Sequence, residues 1–200
     1  MSEKPIIFSG PMVRAILDGR KTMTRRIVKP QPFGCVSVVP DLCGWRRVRG
    51  GPDCNWPSTD GGQEVWRCPY GAPNETRLWV REAWAAHLCD GREDEEIHYR
   101  ADGESCPVDG TMIRRWRPSI YMPRWASRIT LEVTGVRVER AQDITRKPQD
   151  IAAEGMPLDW QGGDIQWFSG LWDKINLHRG CGYSWAVNPW VWVVDFQREE

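Results

Sequence analysis

The chain has 200 residues, of which 40% are hydrophobic and 27% charged, a composition typical of one globular domain. Its 27 basic and 27 acidic residues cancel, which excludes bulk charge attraction as the main drive towards nucleic acid. No apolar stretch reaches the ~18 residues that a membrane span needs, and no secretory signal follows Met1. We therefore expect one soluble, cytoplasmic domain over residues 1–200 with no membrane partner.

The elements of the first half begin with an amphipathic helix. Ser9 or Gly10 is the predicted N-cap, Pro11 lies in the first turn and Gly19 ends the helix. Residues 20–27 then enter the first predicted strand. Residues 34–76 are rich in Gly, Pro, Asp and Asn without a period, which predicts a long irregular insertion after that strand.

The second half alternates strands with irregular segments and ends in helices and a strand. The predicted elements are strands at 78–84 and 97–100, an extended irregular segment at 114–124, a strand at 128–140 with a bulge at Gly135, helices at 148–154 and 163–176, and an apolar strand at 189–196. Short strands without a βαβ rhythm favour a mixed α/β (α+β) fold. Its centre would be a small closed or nearly closed β-barrel with flanking helices.

The seven cysteines predict free thiols, because their number is odd and no export signal precedes them. A zinc site could be built only from Cys35, Cys43, Cys54 and Cys68, whose spacing does not suit a zinc knuckle. We therefore expect neither a metal nor a cofactor.

The densest group of reactive side chains lies at residues 20–26, directly after the first helix. An amine at Lys21 and a hydroxyl at Thr24 suit a nucleophile activated by a lysine, whereas a solvated basic strand edge is the simpler interpretation. In a regular strand the two side chains would point to opposite faces, because their offset is odd. They can meet only if a turn precedes Thr24, and Gly19 makes such a turn possible.

Two further groups could contact a ligand. Glu82 could recognise a base edge beside Trp84, although an ion pair with Arg25 or Arg26 is the favoured interpretation. The other group alternates aromatic residues with arginines: Arg114, Arg115, Trp116, Arg117, Tyr121, Arg124, Trp125 and Arg128. That pattern suits single-stranded nucleic acid bound through Arg124 and Trp125, and equally an aromatic belt packed on the barrel.

Several motifs resemble the ASCH domain, a branch of the PUA-like superfamily, in the form found in phages and prophages. The motifs are Ile-Leu-Asp-Gly-Arg-Lys-Thr-Met-Thr-Arg-Arg (16–26), Leu-Trp-Val-Arg-Glu-Ala-Trp (78–84), Ile-Thr-Leu-Glu-Val-Thr-Gly-Val (129–136), Ala-Ala-Glu-Gly-Met (152–156) and Asn-Pro-Trp-Val-Trp-Val-Val-Asp-Phe (188–196). The resemblance covers most of the chain except about 34–76 and 101–115. It implies the barrel fold, and it includes both RNA-binding domains and enzymes.

One enzymatic branch of this family, which deacylates N(4)-acetylcytidine, is similar through Gly-Arg-Lys-Thr-x-Thr. The resemblance implies an amidohydrolase in which Lys21 activates Thr24 and Glu154 orients the group or moves a proton. Arg25 and Arg26 would then hold an oxyanion or a phosphate. A non-catalytic RNA- or DNA-binding module is the alternative, and a nuclease is a weaker one. The expected partner is a nucleoside or a single-stranded nucleic acid.

Overall fold

The structure is a computed structural model that describes residues 1–29, 31, 37–41, 44–48, 65–87, 96–103 and 116–199. Its strands are β1 (Ser2–Ile7), β2 (Met23–Ile27), β3 (Ser37–Asp41), β4 (Gly44–Val48), β5 (Val65–Arg67), β6 (Thr76–Arg81), β7 (Trp84–His87), β8 (Glu96–Tyr99), β9 (Thr130–Arg140) and β10 (Trp190–Arg198). Its α-helices are α1 (Gly10–Leu17), α2 (Pro148–Ala153) and α3 (Asp164–Asn176), and short 3₁₀ turns connect several elements. The predicted mixed α/β class is confirmed.

Five strands form the main sheet in the order β1-β6-β9-β10-β2. β1 runs parallel to β6, and the other neighbours are antiparallel. The two edge strands β1 and β2 share no backbone hydrogen bond in the part of the chain that the structure describes, so this sheet does not close into the expected barrel. One side chain joins the two edges: Nη2 of Arg26 donates to the carbonyl of Ile7 at 2.7 Å.

The core lies on both faces of the central strand β10. Trp192 and Val194 pack with α1 and with β6 and β9 residues on one face, whereas Val191 and Val193 pack with α2 and α3 on the other. Alternate side chains of a strand point to opposite faces, and β10 is apolar at every one of these positions because both faces are covered. Helices therefore flank the sheet on two sides.

Helix α1 forms where the sequence predicted it. Ser9 is its extended N-cap and Pro11 lies in the first turn, where a missing amide hydrogen costs nothing. Met12, Val13, Ala15 and Ile16 form its buried face. Gly19 follows the helix with φ +73°, a conformation that favours glycine.

The predicted bulge at Gly135 is confirmed. Gly135 pairs with Asp195 while Val133 pairs with Phe196, so Thr134 is an extra residue in β9 at that point. A Cβ on Gly135 would lie 2.7 Å from a carboxylate oxygen of Asp195, so a larger residue there would require the Asp195 side chain to move.

Three expectations about the chain order need correction. The first strand is β1, which precedes α1 and was not predicted; its parallel pairing with β6 supplies the backbone partners that make this short segment a strand. The segment 34–76 is not irregular throughout, since β3, β4 and β5 form an antiparallel sheet within it. The strand expected at 78–84 ends at Arg81, and a new one starts at Trp84 and pairs with β8.

Among the described residues, no helix combines the length and the apolar character that crossing a membrane requires.

Candidate functional site

Lys21 lies in the turn between α1 and β2. Its amide donates to the carbonyl of Ala15 at 2.9 Å, which folds the chain back against the end of α1 after Gly19. β2 begins only at Met23, so Lys21 precedes the regular strand, as the predicted turn requires. The residue is 3% exposed, and a buried ammonium needs acceptors for its hydrogens.

The Lys21 ammonium has three acceptors. Nζ donates to the carbonyl of Met23 at 2.7 Å, to the carbonyl of Glu154 at 2.7 Å and to Oε2 of Glu154 at 2.9 Å. An ammonium has three hydrogens, so all of them are used. One of these acceptors is the carbonyl that follows α2, a partly negative position where a cation is favourable.

Glu154 reaches Lys21 because the end of α2 docks on the open edge of β2. The amide of Thr22 donates to the carbonyl of Ala153 at 3.0 Å. Gly155 then turns the chain with φ +90°, and a Cβ there would lie 3.0 Å from Ala15 and 3.2 Å from Lys21. Glycine at this position lets Glu154 and Lys21 approach closely.

The second oxygen of Glu154 is held by Arg25. Nη1 of Arg25 donates to Oε1 of Glu154 at 3.2 Å, and Nη2 donates to Asp150 at 2.8 Å and to Glu139 at 3.2 Å. The Arg25 side chain is 1% exposed. Three carboxylates therefore occupy the guanidinium that was predicted to bind substrate, and its role in the structure is to position Glu154.

The carboxylates around Arg25 belong to a larger ionic network. Arg137 pairs with Glu139, Asp150 and Asp195, and Lys147 donates to Glu139 at 2.6 Å. Burial by itself would raise the pKa of Glu139, but the hydrogen bonds from Lys147 and Arg137 outweigh it and hold the pKa at about 2. Glu139 is thus held ionised at neutral pH.

Thr24 follows Lys21 by three residues and is 4% exposed. Its hydroxyl makes no hydrogen bond to the residues that the structure describes. Thr24 shares a face of β2 with Arg26, since their offset is two, and both side chains line the cavity described next. Of the predicted residues, Lys21, Thr24, Arg25, Arg26 and Glu154 thus line one cavity, while the three acceptors of the Lys21 ammonium do not include Thr24.

The cavity has a volume of about 1710 Å³ and lies where β1 and β2, the two edges of the sheet, face each other. Its walls come from β1, α1, β2, the turn after α2, and α3. Besides the predicted group, its lining includes the aromatic residues Phe8, Tyr70, Trp167, Phe168, Trp172 and Trp192. A polar group set in a wall that also contains several aromatic side chains is typical of a ligand site.

Burial is the main influence on the pKa of Lys21 and lowers it. The carboxylate of Glu154 opposes this shift, whereas the charges of Arg26 and Arg25 add to it. As a net result, the Lys21 ammonium loses its proton more easily than an exposed lysine does.

The other predicted binding residues do not line this cavity. Glu82 is 1% exposed and pairs with Arg128 at 3.0 Å, so the predicted ion pair with Arg25 or Arg26 is wrong in its partner, although an arginine does hold the carboxylate. Burial is the main cause that raises the pKa of Glu82, and the bond from Arg128 opposes it. A carboxylate held in this way is a structural group.

Trp84, Trp125 and Arg124 lie near Glu82 rather than near Lys21. Trp84 is 1% exposed and meets the edge of Trp125 at a centroid distance of 5.8 Å, and Arg124 pairs with Glu3 at 2.8 Å. Arg117 stacks on Trp84 at 4.9 Å. These contacts support the packed aromatic belt, while Trp125 itself is 60% exposed; Arg114 and Arg115 lie outside the described residues.

Sequence reasoning missed several residues of the site. Phe8 lies against both Lys21 and Arg26, Asp150 anchors Arg25, and Arg179 lines the cavity from the turn after α3. Of these three residues, only Asp150 had a feature in the sequence that could have drawn attention to it, because it is an acid in the first turn of the predicted helix 148–154. Nothing in the spacing of Phe8 or Arg179 links them to the 20–26 motif.

No group of potential metal ligands occurs among the described residues. Cys68 is buried with a free thiol, and burial raises its pKa to about 11, which makes it an inert thiol at neutral pH. Cys35, Cys43 and Cys54, the other members of the weaker zinc interpretation, lie outside the described residues.

The chain matches no protein-family model, no curated protein and no solved structure.

Proposed function

We propose that the protein is an amidohydrolase of the ASCH type that removes the acyl group from the exocyclic amine of an acylated cytidine. The observation that supports this best is that the buried Lys21–Glu154 pair lines the same cavity as the Thr24 hydroxyl, which has no hydrogen-bond partner among the described residues. On this proposal the open sheet is a variant of the PUA-like barrel, with its two edges joined through Arg26 and Ile7.

The first half of the reaction forms an acyl-enzyme. Glu154 takes one proton from Lys21, and the resulting neutral amine accepts the proton of Thr24 as its Oγ1 attacks the amide carbonyl. The bond from the carbonyl carbon to N4 of the base breaks, and Lys21 returns the proton to that nitrogen. Water then attacks the ester carbonyl, its proton passes by way of Lys21 to Oγ1 of Thr24, and the bond from the carbonyl carbon to Oγ1 breaks, which releases the carboxylic acid. Glu154 finally returns its proton to Lys21.

The test is hydrolysis of N(4)-acetylcytidine by the wild type and by a matched set of variants. Thr24→Val keeps the shape but removes the hydroxyl, Thr24→Ser keeps the hydroxyl, and Thr22→Val changes an exposed threonine of the same motif. We expect kcat to fall by about 10³-fold or more in Thr24→Val. Thr24→Ser should still turn over the substrate, and Thr22→Val should have the kcat of the wild type. Turnover that survives in Thr24→Val rules out Thr24 as the nucleophile.

The pH profile adds an independent readout for Lys21. Because burial lowers its pKa, kcat/KM should rise with pH and level off below the ~10.4 of an ordinary lysine. No turnover by the wild type on the nucleoside, its nucleotide or an acylated oligonucleotide overturns the amidohydrolase proposal.

A non-catalytic module for single-stranded nucleic acid is the second candidate. Its support is the cavity volume of about 1710 Å³, which exceeds the ~300–1,000 Å³ of common small-molecule sites. Binding of acylated and plain oligonucleotides with equal affinity and no hydrolysis is the result that favours this candidate.

A further inference from the structure

Arg26 is a guanidinium at the cavity wall without the anionic partner that its neighbours have. The buried cations Lys21 and Arg25 are each paired with carboxylates. Among the described residues, no carboxylate lies within ion-pair distance of Arg26. Its Nη2 donates to the carbonyl of Ile7 at 2.7 Å, and its Nε is shielded from solvent with no hydrogen-bond partner. A shielded donor of this kind is costly unless a ligand fills it.

The location of Arg26 relates it to the reacting group. It follows Thr24 by two residues on the same face of β2, so their Cα atoms are about 7 Å apart. The ring of Phe8 lies 5.6 Å from Nζ of Lys21 and 5.2 Å from Cζ of Arg26. Thr24 and Arg26 therefore lie on the same wall of the cavity.

The charges around Arg26 also favour an anion. Burial lowers the pKa of Arg26; Tyr70 and Glu154 oppose this shift, and the positive charge of Arg179 adds to it. Arg179 lines the same cavity, as do Lys29 and Lys174. Of the three acids in this wall, Asp18 is paired with Arg20 and Glu154 with Lys21 and Arg25, whereas Asp159 has no ion pair among the described residues and offsets one of these positive charges. The cavity thus contains several cations that an incoming anion could neutralise.

We propose that Arg26, assisted by Arg179, binds a phosphate group of the ligand, so that the site takes a phosphorylated nucleotide unit in preference to a free nucleoside. The identity of the base rests on the proposed function, whereas the phosphate site rests on Arg26 and its surroundings. Guanidinium suits phosphate because its planar donors match two oxygens at once. The unit could be a mononucleotide or part of an oligonucleotide, and the experiment separates these.

The first experiment measures binding by calorimetry, with cytidine, cytidine 5′-monophosphate and inorganic phosphate as probes. We expect the wild type to bind the monophosphate about tenfold or more tightly than cytidine, and Arg26→Gln to lose most of that difference. Arg26→Lys keeps the charge and should retain part of it. Arg146→Gln removes an exposed arginine outside the cavity and should change nothing.

Arg179→Gln tests the phosphate site independently, in case Arg26→Gln fails to fold. Arg179 is exposed, so its replacement leaves the core intact and should reduce the phosphate preference by a smaller factor. Equal affinity of the wild type for cytidine and its monophosphate overturns the proposal. An unchanged preference in a folded Arg26→Gln overturns it as well.

Hydrolysis separates this proposal from the proposed function. With acetylated nucleoside, monophosphate and oligonucleotide, we expect kcat/KM to be higher for the two phosphorylated substrates and Arg26→Gln to remove the advantage. Phosphate-dependent binding without hydrolysis means that the proposed function fails and the phosphate site stands. Hydrolysis at the same kcat/KM with and without a phosphate on the substrate means that the proposed function stands and the phosphate site fails. An oligonucleotide preferred over the monophosphate identifies a polymer as the source of the phosphate.

Discussion

Glu154 is the residue whose loss should disturb the site most. Its two oxygens are shared between Lys21 and Arg25, and the carboxylate is 4% exposed. Glu154→Gln leaves Lys21 buried without a carboxylate, while Arg25 keeps Asp150 and Glu139, so we expect the free energy of unfolding to fall by about 3–5 kcal/mol. Urea unfolding followed by tryptophan fluorescence measures it.

The control for this prediction is an exposed ion pair in the same fold. Arg124 pairs with Glu3 at the surface, where solvent screens the charges. Arg124→Gln should leave the unfolding midpoint almost unchanged. A loss of stability in Arg124→Gln equal to that in Glu154→Gln would show that burial of the pair does not matter.

Glu139 gives the ionic network a defined response to acid. Its folded pKa of about 2 lies below the ~4.3 of an unfolded glutamate, so it contributes stability that is present above pH 4.3 and lost as pH falls towards 2. The contribution is roughly 3 kcal/mol at neutral pH.

Glu139→Gln removes that titration. We expect the difference in unfolding free energy between the wild type and Glu139→Gln to shrink steadily from pH 5 to pH 2. Glu75→Gln, which changes an exposed carboxylate, should follow the wild type at a constant offset. A constant offset for Glu139→Gln would contradict the assignment of its low pKa.

At the scale of elements, the contact between the end of α2 and the turn after α1 assembles the pair. Gly155 makes this contact possible through its positive φ and its approach to Lys21 and Ala15. Gly19 offers a matched comparison, because its φ is also positive but no atom lies within 4 Å of a Cβ there.

Gly19→Ala and Gly155→Ala should therefore differ. Both lose about 1 kcal/mol through backbone strain, but only Gly155→Ala also pushes Lys21 away from Glu154. We expect Gly155→Ala to be the less stable variant and to lose most of the hydrolytic activity, with Gly19→Ala near wild type in activity. Unfolding curves and kcat for the two variants decide it; equal losses would show that the packing against Lys21 has no effect.

At the scale of the whole molecule, the zero net charge limits how nucleic acid can bind. The cations of the cavity without an ion pair among the described residues are Arg14, Arg26, Lys29, Lys174 and Arg179. Neutralisation of a few phosphates gives a slope of log affinity against log salt of about −0.7 for each on a single strand.

We therefore expect a shallow slope, between about −1 and −3, for a short single-stranded oligonucleotide. Fluorescence anisotropy at several salt concentrations measures it, and Arg26→Gln should reduce the slope by about one contact. A slope steeper than about −5 would place the binding surface outside this cavity.

The sequence alone predicted the elements whose patterns are local. The N-cap, first-turn proline and apolar spacing of α1, the alternation of β9 and the apolar run of β10 each depend on neighbouring residues. Local patterns of this kind hold because the side-chain period follows directly from backbone geometry. The bulge at Gly135 belongs with them, since a glycine amid β-branched residues indicates it. The turn that places Lys21 before β2 was likewise expected from Gly19.

Only the tertiary structure decided the partners. β1 is a strand because β6 pairs with it, and the insertion contains strands because they pair with one another; neither pairing is visible in a short stretch of sequence. Arg25 and Arg26 are adjacent and alike, yet alternation in β2 sends one into a network of carboxylates and the other to the cavity. Residue type determined the available chemistry, and long-range packing determined which charges meet, because ion pairs form between groups more than a hundred residues apart along the chain.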